Sequence, residues 1–220
     1  MWRQMAPALR MTLAMTVLTG LLYPPLVTGL CQLFFRRQAD GSLIRTDGSI
    51  VGSALIGQGF TRPEYFHPRP SAAGNGYDAS NSGGSNYGPT SPKLMDRIAA
   101  SIRAFRKANP DYSGPIPSDL VTASASGLDP DISLASAEAE APRVAQSRKI
   151  PLPQLLQFIH AHAQYRRLGF LGEPRVNVLE LNLALNRLYP LSRPTGPDSR
   201  SGPEGGPREE AQNGSRPTAP

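Results

Sequence analysis

Cysteine and histidine are scarce in this chain, and their scarcity removes several classes of protein. The 220 residues include one cysteine, Cys31, and three histidines. A single cysteine excludes a disulfide-stapled fold and a cysteine-rich zinc site. His160 and His162 are two positions apart, so on a helix they diverge by about 200° and do not form the i, i+4 pair of a helical metal site. We therefore predict no metal.

The motifs of common hydrolases and nucleotide-binding enzymes are also missing. No serine stands in a G-x-S-x-G elbow, which argues against a serine hydrolase. Asp129 and Asp131 flank Pro130, and this setting favours turn-forming carboxylates over an acid/base pair. We predict no catalytic residue. A membrane-tethered hydrolase and an envelope-binding module stay open as alternatives.

The charge of the chain argues against one further partner. Lys and Arg number 23 against 17 Asp and Glu, which gives a net charge of +6 and a sequence pI near 9.8. The basic residues are spread along the chain, without an aromatic-interleaved patch or a recognition motif. We predict no nucleic acid as a partner, and the charge is compatible with an anionic membrane surface close by.

A long run without charge lies near the N-terminus. Residues 11–35 read MTLAMTVLTGLLYPPLVTGLCQLFF, and a helix of this length spans about 37 Å, enough for a bilayer core of about 30 Å. We predict one transmembrane helix over residues 11–35, with a kink near residues 20–25 where Pro24 and Pro25 remove amide donors. A cleaved signal peptide is the alternative, but no small-x-small cleavage site follows the run.

The pattern after this helix predicts an α+β domain over residues 36–190. Short β-prone runs at 42–46 and 49–58 surround Asp47-Gly48, which indicates a hairpin. Residues 191–220 have balanced charge, many Pro and Gly and no apolar periodicity, which predicts a disordered, dispensable tail.

Four helices and two further strands are predicted in this domain. Ser91-Pro92 opens the first helix and Asn109-Pro110 ends it. Residues 133–149 are helical in composition, but Pro142 predicts two segments or a kink. A third helix is predicted over 153–168, a short strand over 120–123, and a strand over 175–178 that leads into a final helix.

Glycine, serine and asparagine dominate the connection at 69–92, RPSAAGNGYDASNSGGSNYGPTSP. Two tyrosines inside it, Tyr77 and Tyr87, predict an ordered loop anchored by aromatic rings. Successive glycines let backbone amides converge on an anion, and the short string is similar to the Ser-Gly-Gly signature of ABC-type ATPases. No Walker lysine follows at the required spacing. The candidate nucleotide contacts are Ser82, Gly83, Gly84, Ser85 and Asn86, with a purely structural loop as the alternative.

Several long motifs, taken in one order, resemble the C subunit of the Kdp-type potassium-transporting ATPase. They are GSALIGQGFTRPEYFHPRPSA, SGGSNYGPTSP, DLVTASASGLDPDIS, PRVA and LGFLGEPRVNVLELNLAL. The resemblance extends from the apolar helix to about Leu188 and leaves the tail from Leu191 outside it.

The resemblance implies a non-catalytic accessory subunit of the bacterial inner membrane. Residues 1–10 would lie in the cytoplasm and the α+β domain outside it. The implied partners are a channel-like potassium-binding subunit, a P-type ATPase pump subunit and a small helical subunit. Such subunits are described as catalytic chaperones, which raise the ATP affinity of the pump subunit in a ternary complex with ATP. ATP is therefore the implied cofactor.

The implied topology separates the α+β domain from cytoplasmic ATP, and one residue departs from the family. Glu140 stands where the family commonly carries Gln, and a carboxylate cannot donate the hydrogen bonds of an amide and repels phosphates. The alternative is an extracytoplasmic cap on the potassium entrance without nucleotide contact, acting by a shift of conformational populations. The predicted partner-binding residues are Tyr23, Pro24, Pro25, Arg69, Tyr87 and Pro89.

Overall fold

An apolar helix, Arg3–Phe34, is long and apolar enough to cross a membrane. The computed structural model describes residues 2–191, so the predicted disorder of residues 192–220 lies outside the described residues. The helix comprises α1 (Trp2–Thr16), a π-helical turn (Val17–Leu22) and α2 (Tyr23–Phe34), and the short α3 (Arg36–Ala39) follows it. It begins well before residue 11, the predicted start.

The π-helical turn lies where the two prolines were expected to bend the helix. Pro24 has no amide to donate to the Gly20 carbonyl, and its ring would clash with that carbonyl in a regular helix. A π turn is wider, and here the Tyr23 amide donates to the Leu18 oxygen, five residues back. The predicted irregularity is therefore present as a widened turn.

The predicted hairpin is confirmed. Strands β1 (Leu43–Thr46) and β2 (Ser49–Ser53) pair antiparallel. Asp47 and Gly48 between them both have positive φ, 51° and 78°, the conformation that favours Asp-Gly in two-residue hairpin turns. The second strand ends at Ser53, earlier than the predicted residue 58.

Two strand-to-helix units form the centre of the α+β head. Strand β3 (Asp131–Ser133) leads directly into α5 (Leu134–Arg148), and β4 (Arg175–Asn177) leads into α7 (Val178–Leu188). The strands pair antiparallel with Ile132 opposite Val176, both buried. Each helix begins at a polar cap, because the Ser133 and Asn177 side chains accept the amide three residues on.

Helix α5 is a single helix, so the prediction of two segments divided at Pro142 is wrong. Most of its faces are buried, with side chains such as Ala137, Ala141 and Val144 in the core. This packing outweighs the cost of about 3 kcal/mol for an interior proline. Helix α6 (Leu152–His162) packs beside it.

Two other boundaries differ from the prediction. The strand predicted over 120–123 is absent, since residues 118–120 form a 3₁₀ turn and 121–123 are neither helix nor strand. The Asp119 carboxylate of this turn accepts the Ser133 amide at the start of α5 at 2.7 Å. Helix α6 ends at His162 and not at 168, because the Gln164 backbone pairs with Arg175 and continues β4 as an isolated bridge.

The main core lies between α5, α6, α7 and the β3–β4 pair. Its buried side chains include Phe66, Ile132, Val144, Leu155, Ile159, Val176, Leu181 and Leu185. Helix α4 (Pro92–Ala108) begins and ends at the predicted residues and packs at the edge. Its apolar side chains Leu94, Ile98 and Ile102 are only partly buried. Phe105 joins Leu120 and Ala139 in a smaller buried cluster.

Candidate functional site

A proline-rich segment, residues 61–70, lies against α5 and α7 and is named here the extended segment. It makes a turn at 62–65, where the Tyr65 amide donates to the Arg62 oxygen at 3.2 Å, and has no helix, strand or turn from 66 to 70. Its three prolines lack amide donors, so it is poorly suited to a regular strand ladder. Side chains bond its main chain instead. The Phe66 amide donates to Asn182 Oδ1, and Asn182 Nδ2 donates to the Phe66 carbonyl, each at 2.9 Å. The next amide, that of His67, donates to Glu140 Oε2 at 2.7 Å. Asn182 and Glu140 thus supply this segment with the main-chain hydrogen bonds that a neighbouring β-strand would supply.

Two arginines of α5 bind carbonyls of the same segment. Arg143 Nη1 donates to the Tyr65 oxygen at 2.9 Å and to the Pro63 oxygen. Arg148 Nε donates to the Glu64 oxygen at 2.7 Å, and its guanidinium lies 5.0 Å from the centre of the Tyr65 ring. A guanidinium group carries several donors in a fixed plane. Two arginine side chains therefore bond the carbonyl oxygens of three consecutive residues, 63–65.

The charges of this cluster are buried, and burial governs their titration. Glu140 is 2% exposed. Burial raises its pKa to about 7, against the opposing effects of Arg143 and the His67 amide. Arg143 Nη2 lies 3.0 Å from Glu140 Oε2, an ion-pair distance without the alignment of a hydrogen bond. Burial, and then the Arg143 charge, lower the pKa of the His67 imidazole to about 4, so His67 is neutral at pH 7.

A cleft of about 270 Å³ lies between the extended segment and α4. His67, Pro68, Phe105 and Glu140 contribute to its lining. The Glu140 carboxylate is already held by the His67 amide and the Arg143 charge. The cleft therefore presents mainly apolar walls and a neutral imidazole.

The glycine-rich loop is bonded to a second loop at residues 124–127. The Gly83 amide donates to the Ser126 oxygen at 3.0 Å, and Ser82 Oγ donates to the same oxygen at 2.9 Å. A Cβ on Gly84 would lie 2.9 Å from the Ala125 oxygen. Glycine at 84 thus permits a close approach of two backbones. The polar groups of Ser82 and Gly83 are engaged within the protein.

The start of the same loop is fixed to residue 127 as well. Ser71 Oγ donates to the Gly127 oxygen at 2.7 Å and accepts the amides of Ala73 and Tyr77. The Tyr77 hydroxyl donates to the Arg69 oxygen. These bonds confirm the prediction of an ordered loop anchored by Tyr77, whereas Tyr87 is 42% exposed and does not anchor it.

Comparison with known proteins gives one consistent family. The sequence profile described as "K+-transporting ATPase, c chain" (KdpC) matches residues 5–187. A potassium-transporting ATPase KdpC subunit of Rhodospirillum rubrum is 54% identical over 192 residues, which cover 87% of this chain and 100% of that protein. The subunit of the same name from Myxococcus xanthus is 57% identical over 183 residues, 83% of this chain and 87% of that protein. The chain belongs to the KdpC family.

KdpC membership makes the chain a subunit of the K+-transporting ATPase complex, as the sequence motifs indicated. Together with the apolar helix near its N-terminus, membership identifies a membrane-anchored protein. A third relative, the KdpC subunit of Mycobacterium tuberculosis strain H37Rv, is 55% identical over 189 residues, 86% of this chain and 100% of that protein.

The predicted partner-binding residues of this KdpC chain lie in separate places. Tyr23, Pro24 and Pro25 are exposed on the apolar helix, and Tyr87 and Pro89 are exposed where the glycine-rich loop approaches α4. A sixth, Arg69, is engaged within the head, where its Nη1 bonds an Asp129 carboxylate oxygen at 2.8 Å.

The other polar residues considered in the sequence have local roles. Asp129 Oδ1 accepts the Asp131 amide at 3.1 Å, which confirms a turn-forming carboxylate. His160 Nε2 lies 3.1 Å from Glu138 Oε1, and His162 Nδ1 lies 2.8 Å from the Phe158 oxygen. Among the residues that the structure describes, no group of three or more His, Cys, Asp or Glu is placed to hold a metal.

The network that holds the extended segment was not predicted from the sequence. Arg143 and Arg148 lie in the helix predicted over 133–149, and Asn182 lies in the final helix. One sequence signal could have indicated this network. Charged and amide side chains stand among the alanines of α5 and the leucines of α7. Such groups are buried only when they are bonded.

Proposed function

We propose that this chain is the accessory subunit of a high-affinity ATP-driven potassium-transport complex. It raises the ATP affinity of the pump subunit by association, without contacting the nucleotide. Its apolar helix anchors it in the bacterial inner membrane as a single span, with the N-terminus in the cytoplasm and the α+β head outside. Its partners are the channel-like potassium-binding subunit, the P-type pump subunit and the small helical subunit.

The engagement of the Ser82 to Asn86 loop is the observation that carries this proposal. Anion-binding loops work by presenting backbone amides to the ligand. Here the Gly83 amide and the Ser82 hydroxyl both point to the Ser126 oxygen. At the second candidate position, Glu140 is buried and bonded to the His67 amide. The Gly83 amide and the Ser82 hydroxyl are therefore engaged within the protein, and the Glu140 carboxylate has no hydrogen to donate to a phosphate.

An effect on ATP affinity does not require contact with ATP. A subunit that binds one pump conformation better than another shifts the population toward that conformation. By linkage, a preference of about 1.4 kcal/mol for the ATP-competent state changes apparent ATP affinity about tenfold. The exposed Tyr87 and Pro89 lie at the end of a rigidly bonded loop, and we assign them the contact with the potassium entrance.

The test compares complexes assembled with the full-length chain and with variants. The double variant Tyr87→Ala with Pro89→Ala is expected to weaken the apparent ATP affinity of the complex. Ser82→Ala, which removes only a hydroxyl already bonded to Ser126, is the matched control and is expected to leave ATP affinity unchanged. Calorimetry on the full chain alone in detergent is expected to show no ATP binding.

Opposite results would favour direct nucleotide contact. Micromolar binding of ATP by the chain alone, lost in Gly83→Val, would overturn the proposal.

The orientation is tested by Met95→Cys in a Cys31→Ser background, because Met95 is exposed on α4. A membrane-impermeant thiol reagent is expected to label it in intact cells only from outside.

A further inference from the structure

A narrow finger, defined as residues 164–175, projects between α6 and β4. Its base is closed by two backbone hydrogen bonds between Gln164 and Arg175, at 2.8 and 3.1 Å. Near its end, Arg167 and Leu171 exchange two more, both at 2.9 Å. The turn between them contains Leu168 and Gly169 with positive φ, 53° and 81°. The finger therefore has hairpin-like hydrogen bonding along its length.

The tip of the finger carries large apolar side chains that the head does not cover. Leu168 is 82% exposed, Phe170 71% and Leu171 51%. Three such side chains in four consecutive residues, presented by a closed turn, form a local apolar projection and not scattered surface residues. Arg166 and Arg167 precede them directly. Arg166 Nη2 pairs with the Glu173 carboxylate of the same finger at 2.9 Å.

The base of the finger lies beside the exit of the membrane helix. Arg37, three residues after the end of α2, lies 3.9 Å from Glu180 at the start of α7. Arg37 and His162 line the same cleft, and His162 is the last residue of α6, directly before the finger. The segment that leaves the anchor and the segment that enters the finger thus belong to one surface of the head.

We propose that the finger tip inserts into the lipid interface and gives the head a second attachment to the membrane. Leucine and phenylalanine gain free energy when they enter the boundary between headgroups and acyl chains. Arg167, next to them, extends its guanidinium group to a lipid phosphate. The continuity of the finger base with the anchor surface favours lipid over a distant protein as the occupant. A single helix leaves the head free to tilt and rotate on the membrane. A second attachment fixes its orientation.

The experiment places an environment-sensitive fluorophore on the tip. The full chain carrying Cys31→Ser and Leu168→Cys is labelled with nitrobenzoxadiazole and reconstituted in phosphatidylethanolamine and phosphatidylglycerol vesicles. Insertion is expected to shift the emission to the blue and to let headgroup spin-labelled lipid quench it. The matched control is Met95→Cys in the same background, exposed on α4, whose emission is expected to match that of the label in water.

A second variant removes the driving force without touching the labelled position. Phe170→Glu with Leu171→Glu is expected to abolish the blue shift and the lipid quenching at position 168, while the circular dichroism melting profile stays that of the parent. The proposal is overturned if position 168 behaves like position 95 in vesicles. It is also overturned if the shift appears only when the partner subunits are added and spin-labelled lipid never quenches it, because a protein groove then covers the tip.

Discussion

The backbone amide of His67 donates a hydrogen bond at 2.7 Å to the side-chain carboxylate of Glu140, across 73 residues of sequence. This bond joins a proline-rich segment to the centre of a buried helix. Both residues titrate away from their ordinary values, in opposite directions. Protonation of the head is therefore linked to its folding.

Replacing Glu140 with Gln is expected to change how stability depends on pH. The folded pKa of Glu140 is raised from 4.5 to about 7, so the native state binds the extra proton in that window and stability falls as pH rises through it. The folded pKa of His67 is lowered from 6.5 to about 4, so the unfolded state binds the extra proton there and stability rises with pH. The two effects oppose each other in the wild type, and Glu140→Gln leaves only the second.

The measurement is thermal unfolding of the full chain in detergent, followed by circular dichroism from pH 4 to pH 8. Relative to wild type, Glu140→Gln is expected to gain stability with rising pH by at most about 1.4 kcal/mol per unit, the limit for one proton. His67→Asn is the reciprocal control, and its stability relative to wild type should fall over pH 4 to 6.5. Parallel profiles for all three proteins would show that the pair is not linked to folding.

Asn182→Ala is expected to destabilise the head by about 3 kcal/mol. The substitution leaves the amide and the carbonyl of Phe66 without their partner, and Phe66 is fully buried. Chemical denaturation of the full chain measures the change in the free energy of unfolding. Asn81→Ala, at an exposed position, is the control, with an expected change within about 0.5 kcal/mol. Equal effects would mean that the extended segment is held by other contacts.

Gly127→Ala is expected to cost about 2 kcal/mol or more. Gly127 has φ +67°, and a Cβ there would lie 2.6 Å from the Ala73 amide nitrogen. The loop at 124–127 would separate from the glycine-rich loop. Gly88→Ala meets nothing within 4 Å and is the matched control. Proteolysis in the 71–88 region should become faster in the first variant only.

Replacing Pro24 and Pro25 together with Ala is expected to restore a regular α-helix over residues 17–24. The amide of residue 24 could then donate to the Gly20 carbonyl, and the π turn would lose its cause. Since we assign this region to contact with the pump complex, co-purification with the partner subunits in detergent should decrease. Leu13→Ala, in the regular part of the helix, should co-purify as wild type does. Undiminished co-purification of the proline variant would remove these residues from the contact.

Some elements were predictable because their causes are local. The apolar run containing Pro24 and Pro25 predicted the apolar helix and its irregularity, and Asp47-Gly48 predicted the hairpin. The pattern at residues 175–178 predicted a strand that leads directly into a helix. Boundaries failed where a distant group intervened, as when Asp119, directly before the strand predicted over 120–123, bonded the Ser133 amide at the start of α5.

The candidate site was less predictable than the fold. The glycine-rich loop was recognised as ordered from its tyrosines, but nothing in its own residues shows that Gly83 and Ser82 bond the Ser126 oxygen. Arg148 lies in the helix predicted over 133–149, and no local pattern indicated that it binds the Glu64 carbonyl and faces the Tyr65 ring.

The sequence by itself determined the anchor, the hairpin and the family, because hydrophobic length, turn chemistry and ordered motifs are properties of neighbouring residues. Only the tertiary structure decided which side chains serve the extended segment. Phe66 and Asn182 are 116 residues apart, and no periodicity relates them. Their pairing follows from burial, since a polar group excluded from water must bond whatever the packed chain brings beside it.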